Sequence, residues 1–246
     1  MSVAVVLQAR FGSHRLPGKA MLPLGSSFIL DTIAKRALRI SADSHWFATT
    51  TLAEDDALAQ TCLELGYQVF RGEVEDVLSR FEAVATASGA EVIVRVTGDN
   101  PLISFELSNE MVSEFSKFHS RYDSMRPDEA WPIGLLPEVF RASSLQKIRK
   151  GLKPSETYHL SHVTSRLSRV GEVCFFQLKQ DWRGLEAWRL TVDEPRDYLL
   201  FTEISRIYAP KLLEEICSSE ILEILRQNRN LACLNGDVRQ KLIEEG

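Results

Sequence analysis

The sequence predicts an α/β protein, a three-layer sandwich in which a mostly parallel β-sheet lies between helices. Three observations predict it. Strand-like and helix-like patterns alternate four times in the first hundred residues, and the helical connections are long enough to join parallel strands. The runs at 3–7 (VAVVL) and 92–96 (VIVRV) are β-branched and nearly continuous in apolar character, as expected of strands buried on both faces. The chain has 246 residues, 44% of them hydrophobic, enough for a substantial core.

The elements follow in order. After the first strand, residues 8–24 hold Gly12, Pro17, Gly18 and Pro23 among basic residues and read as loop. Ser26 or Ser27 is expected to cap a helix with Leu30, Ile33, Ala34, Ala37 and Leu38 on its apolar face. A second strand is expected at 46–50, a helix at 54–65 stopped by Gly66, and a third strand at 67–70. A helix at 75–88 closed by Gly89, the fourth strand and a helix at 105–118 come next. Residues 121–140, rich in Pro and Trp, read as irregular. Helices near 143–150 and 155–169 precede strands at 172–178 and 188–192, and the chain from 196 onward reads as helical. No repeat, low-complexity run or linker interrupts it, so one domain is expected over 1–246, with an excursion at 121–180 and a helical tail at 200–246.

The charge balance, 29 Lys+Arg against 34 Asp+Glu for a net −5, argues against a general nucleic-acid binder. No run is long enough to span a bilayer and no signal peptide opens the chain, so a cytoplasmic protein without membrane contact is expected. The four cysteines are widely spaced with no CxxC pair, which reads as reduced thiols with neither disulfide nor zinc site.

Ligands of open α/β sheets gather at the carboxyl ends of the strands. The loop after the first strand, QARFGSHRLPGK at 8–19, places Arg10, Arg15 and Lys19 among two glycines. Arginine offers a planar fork to phosphate, lysine a mobile charge, and glycine lets backbone N–H groups approach. The pattern is neither GxxxxGK[ST] nor GxGxxG; it reads as a triphosphate-binding loop, with a solvated basic turn as the plainer alternative and Lys19 an exposed cation. The fourth strand ends in TGDNPLI, which places Asp99 in a Gly/Pro-fixed turn. There it is suited to hold a divalent cation, or simply to bond its own turn. Asp193 ends the stretch LTVDEP; it is either a second ligand converging on one Mg²⁺ or the N-cap of the helix that Pro195 opens.

Together these stretches resemble the sugar cytidylyltransferases, the group of the CMP-sialic acid and CMP-3-deoxy-manno-octulosonate synthetases, and most of all their spore-coat polysaccharide branch. The likeness runs from residue 3 to about 200. It is carried by QARFGSHRLPGK, the ATT ending the second strand, VFRGEVEDVLSRF (69–81), VRVTGDNPLI, GLLPEVF, HLSHVT and WRLTVDEPRDY. It implies a Rossmann-like α/β fold and a Mg²⁺-dependent enzyme that activates a sugar or sugar acid with CTP for surface-polysaccharide synthesis. Arg10, Arg15 and Lys19 would hold the phosphates, with Ala9 and Gly12 close to the nucleotide. Asp99 and Asp193 would hold Mg²⁺. Lys19, Arg15 and Asp99 would be the catalytic groups. Arg71 and the turn Glu75-Asp76-Val77 would lie on the nucleotide or sugar side. The family usually has acidic residues where Thr51 and Ser104 stand, and an Asp close to Leu136; the latter two changes fall where the acceptor or the fold is read, and leave the nucleotide site intact.

A nucleotide-sugar glycosyltransferase would share the sheet but usually carries a DxD motif, absent at the end of any middle strand. A catalytically silent nucleotide-binding subunit is the third reading. His159 and His162 lack soft partner ligands, Ser13-His14 lacks a residue to orient the base, and Trp131, Trp182 and Trp188 suit packing better than sugar stacking. The apolar stripe Leu212, Leu213, Ile216, Ile221, Leu222 and Leu225 reads as packing and leaves room for a homodimer contact.

Overall fold

A computed structural model describes residues 1–13, 15–128, 130–153, 156, 160 and 162–238. His14 and His159 lie outside the described residues, as does part of the helix expected at 155–169.

Four parallel strands form the heart of the sheet: β1 (Val3–Gln8), β4 (Ser44–Thr50), β5 (Gln68–Gly72) and β6 (Val92–Thr97). The pair β2 (Pro23–Leu24) and β3 (Ser27–Phe28) forms a separate antiparallel ribbon. The segment expected to be irregular holds two short strands, β7 (Ser124–Pro127) and β8 (Glu138–Arg141), and β9 (Val173–Phe176) completes a seven-stranded sheet in the order β5-β4-β1-β6-β8-β7-β9. Only β8 runs against its neighbours. At four residues each, β7 and β8 are too short to show an alternating pattern, and Pro127 disguises the first.

Side chains alternate across β1. Val3, Val5 and Leu7 enter one core, which also receives α1 (Ile29–Ala37), α4 (Phe105–Phe118), α7 (Pro195–Tyr208) and α8 (Ser218–Gln227). Ala4 and Val6 enter the other, filled by α3 (Val77–Ser88), α5 (Ser143–Gly151) and α6 (Leu167–Val170). The helix α2 (Asp56–Glu64) lends Leu58 and Cys62 to the first core. These are the three expected layers.

Several boundaries differ from expectation. The N-cap of α1 is Phe28, not Ser26 or Ser27; its side chain offers no acceptor to the first turn, and the Asp31 carboxylate three residues on accepts the Phe28 N–H at 3.2 Å, the reciprocal half of a capping box. Asp76 caps α3 by accepting the Ser79 N–H at 2.8 Å, which leaves Glu75 outside the helix. Residues 188–192 do not form a strand. They run extended beside Ile133, touching it by a single bridge at Arg189. Trp131, Trp182 and Trp188 are buried, with Trp131 stacked on Phe176 at 5.6 Å between centroids. No described helix is long and apolar enough to cross a membrane.

Candidate active site

The turn after β6 and the loop after β1 leave the sheet side by side. Gly98 makes this contact: a Cβ there would lie 2.4 Å from the Cβ of Ala9, and the Gly98 N–H donates to the Gln8 carbonyl at 2.7 Å. Ala9 is buried by the same contact. The loop is then anchored by Asp55. This fully buried carboxylate accepts from the Phe11 N–H at 2.6 Å and from the Thr50 hydroxyl and N–H, tying the start of the basic loop to the end of β4.

The loop doubles back so that Lys19 opens a short 3-10 turn, Lys19–Met21, and points into the molecule. Its side chain is 14% exposed rather than the free surface cation expected. The ammonium donates to the Val192 carbonyl at 2.7 Å and to Asp193 Oδ1 at 2.9 Å, and lies 4.0 Å from Asp99 Oδ2. The two carboxylates read from distant parts of the sequence thus meet at one lysine. Their backbones are joined as well, since the Val192 N–H donates to the Asp99 carbonyl at 2.7 Å.

Asp193 is not the helix cap. Glu194 is the N-cap of α7, and the buried Asp197 carboxylate accepts the N–H groups of Asp193 and Glu194, each at 2.9 Å. The Asp193 side chain instead faces cations: Lys19, Arg15 at 3.1 Å and Arg189 at 2.6 Å. Burial raises its carboxyl, but Lys19, Arg15 and Arg189 together outweigh that and hold it below the ordinary carboxylate value. Arg15 also reaches Glu194 at 3.3 Å, and Arg189 reaches Asp197 at 3.1 Å. Arg15, Lys19 and Arg189 therefore face Asp99, Asp193, Glu194 and Asp197, an arrangement with a surplus of negative charge. Asp99 Oδ1 is buried with no hydrogen-bond partner among the described residues.

The remaining expected residues lie further along the same edge. Arg10 is half-exposed and pairs loosely with Glu75 at 3.8 Å, joining the basic loop to the turn before α3. Gly12 runs beside the Glu54 side chain. Arg71 is engaged within the fold, donating to the carbonyls of Thr50 at 2.8 Å and Leu52 at 2.7 Å and pairing with Asp56. Ser104 and Leu136 are both buried: Ser104 caps α4, and Leu136 packs in the first core.

Sequence reasoning missed Asp55, Arg189, Glu194 and Asp197. The signal for Arg189 was present, because an extended segment puts residues 189, 191 and 193 on one side. Asp55 had no local signal, since its partners Phe11 and Thr50 come together only in the folded sheet.

The chain belongs to the cytidylyltransferase family. The model of that family, described as "Cytidylyltransferase", matches residues 4–177. The spore coat polysaccharide biosynthesis protein SpsF of Bacillus subtilis is 34% identical over 94% of this chain and 96% of its own. The 3-deoxy-manno-octulosonate cytidylyltransferase of Geobacter sulfurreducens is 30% identical over 48% of this chain and 46% of its own. Among solved structures, a cytidylyltransferase from Leptospira borgpetersenii superposes with a TM-score of 0.86 at 24% identity, covering 98% of this chain and 99% of its own. The α/β architecture and its mixed sheet are those of this fold, and the chain is a nucleotidyltransferase.

Proposed function

We propose that the enzyme transfers the cytidylyl group of CTP to a hydroxyl of a sugar or sugar acid, with Mg²⁺ as its cofactor. The acceptor oxygen attacks the α-phosphorus in line, the bond between that phosphorus and the bridging oxygen breaks, and pyrophosphate leaves. The observation that carries this reading is the meeting of Lys19 and Arg15 with Asp99 and Asp193 at one edge of the sheet. Lys19 and Arg15 are held by carboxylates that a triphosphate can replace as partners. Moving onto the phosphates, they would stabilise the charge that develops as pyrophosphate departs.

The site also suits the cation. The orphaned oxygen of Asp99, the hard carboxylate donors and the negative surplus all favour a small divalent ion. Among the described residues no three His, Cys, Asp or Glu side chains gather into a ready cage, which fits an ion that draws its other ligands from phosphates and water. Asp99 and Asp193 would hold Mg²⁺, which when bound neutralises phosphate charge. Toward the neighbouring strands, Arg95 on β6 donates to Gln8 at 3.3 Å, Glu138 at 2.5 Å and Thr164 at 3.2 Å. Such a row of donors and acceptors supports an acceptor rich in hydroxyls. The names of the SpsF and 3-deoxy-manno-octulosonate relatives support the same class.

The test is calorimetric titration with CTP, with and without Mg²⁺, followed by pyrophosphate release across a panel of sugars and sugar acids. CTP is expected to bind more tightly with Mg²⁺, and at least one acceptor to release pyrophosphate. Lys19→Met and Asp99→Asn should each lower turnover at least tenfold, since a charge-assisted contact is worth about 1.5–3 kcal/mol. CTP binding indifferent to both substitutions would remove this cluster from the site.

A further inference from the structure

The support behind Asp193 comes from the far end of the chain. Asn235 follows the 3-10 turn Arg229–Leu234 and is 1% exposed. The turn is seated by Leu231, Ala232 and Leu234, which pack against the first core, and by an exposed pair between Arg196 and Asp237 just beyond it. From there the Asn235 side-chain amide donates twice, to the Arg189 carbonyl at 3.0 Å and to Asp197 Oδ1 at 2.8 Å. A neutral amide suits this place, because its NH₂ serves two acceptors at once and adds no charge between Arg189 and Asp197.

Asp197 is where these bonds meet. Its Oδ1 accepts from Arg189 Nε at 3.1 Å and from Asn235, and its Oδ2 from the main-chain N–H groups of Asp193 and Glu194. A carboxylate offers about four acceptor sites, so this fully buried one is saturated by its neighbours. Asp193 itself faces three cations, Lys19, Arg15 and Arg189. Lys19 and Arg15 are the two that move onto the triphosphate in the function proposed above. Arg189 is not free to follow, since its side chain is 6% exposed and its Nε is tied to Asp197. With nucleotide bound, Asp193 is therefore left with two supports, the Arg189 guanidinium on its side chain and the Asp197 carboxylate on its main chain. Asn235 is bonded to both of those residues.

We propose that Asn235 is a positioning residue for the metal site. It fixes Arg189 and Asp197, and through them holds the Asp193 carboxylate in place for Mg²⁺ once Lys19 and Arg15 have turned to the phosphates. The proposal rests on the nucleotide and metal reading given above. It gives the last described segment of the chain a part in catalysis although no atom of Asn235 bonds to Asp99, Asp193, Arg15 or Lys19 side chains.

Calorimetric titration with CTP, in chelator and in Mg²⁺, tests it on the wild type, Asn235→Leu, Asn235→Ala and Arg196→Gln, beside turnover and thermal melts. Asn235→Leu keeps the volume and has no N–H to give; Arg196→Gln loosens the same tail and leaves Asn235 alone. Both Asn235 variants should bind CTP as the wild type does in chelator, because Lys19 and Arg15 are untouched. They should lose about tenfold in the tightening that Mg²⁺ brings and about tenfold in kcat, the low end for a residue that supports a metal ligand, with KM for the acceptor unchanged. Arg196→Gln should lower the melting temperature alone. Asn235 variants that melt lower but keep the wild-type response to Mg²⁺ and the wild-type kcat overturn the proposal. So does an equal loss in Arg196→Gln, which would make any loosening of the tail sufficient. Should neither Asn235 variant fold, nuclear magnetic resonance of the wild type decides: the Asn235 side-chain amide signal shifts when CTP and Mg²⁺ are added together, and an unmoved signal overturns the proposal. A wild type that binds no CTP, or binds it equally with and without Mg²⁺, would instead overturn the nucleotide or metal reading itself.

Discussion

Asp193 shows how much one residue's meaning depends on what surrounds it. Read in the sequence, it is a helix cap or a metal ligand. In the folded protein the capping is done by Glu194 and Asp197, and Asp193 is left to three cations. The sequence reading placed Lys19 on the surface, where its loss would cost little stability; its bonds to Val192 and Asp193 imply otherwise. Removing the Asp193 charge leaves Lys19, Arg15 and Arg189 short of a partner, so Asp193→Asn should lose about 1.5–3 kcal/mol of stability at neutral pH. The sign of the pH dependence follows from the depressed carboxyl. Its stabilisation is complete above the ordinary value of 3.8 and is lost as pH falls through the lower folded value. Urea melts at pH 7 and at pH 3 should therefore show the gap between wild type and Asp193→Asn narrowing in acid. A gap that stays constant would mean that the carboxylate's charge is not what stabilises the fold.

At the scale of elements, β1, β4, β5, β6 and α4 were legible because their apolar runs are long and their stops are marked by Gly or by a capping residue. The short strands β7 and β8 were not, because partners far along the chain decide them. The stretch 188–192 shows the reverse failure. Its strand-like composition reflects burial of Trp188, Leu190 and Val192 in the first core, not membership of the sheet. Ser104 belongs here too. Its hydroxyl accepts from the Leu107 N–H at 3.2 Å and meets the Ser218 hydroxyl at 2.6 Å, so one side chain both starts α4 and docks α8. The departure from the family's usual acid at this position is explained by that docking, since Ser218 also donates to Glu106 at 2.6 Å and a second carboxylate would crowd the first. Ser104→Ala should cost about 1 kcal/mol through the lost cap, seen as a lower denaturation midpoint with CTP affinity unchanged. A changed affinity would place Ser104 in the site after all.

For the whole molecule, the family match ends at residue 177, yet Arg189, Asp193 and Asp197 come later. The later segment also completes the core: Leu190, Val192, Leu200, Phe201, Ile216, Ile221 and Leu225 are fully buried in the cluster that holds Val5 and Leu7. Arg36 stitches it down from within, donating to the carbonyls of Ile103, Leu213 and Ile216 at 2.7–2.8 Å. A chain cut after Gln177 should therefore show no cooperative thermal transition by circular dichroism; a sharp melt would mean that the matched region folds alone. The candidate carboxylates are held together by a bond of another kind, from the main-chain N–H of Val192 to the main-chain oxygen of Asp99. No side chain writes that bond, so codon changes at either position leave it in place unless residue 192 becomes proline, which has no N–H to give. Substitution at residue 192 can thus change the side chain and still leave the main-chain tie beside the two acids standing.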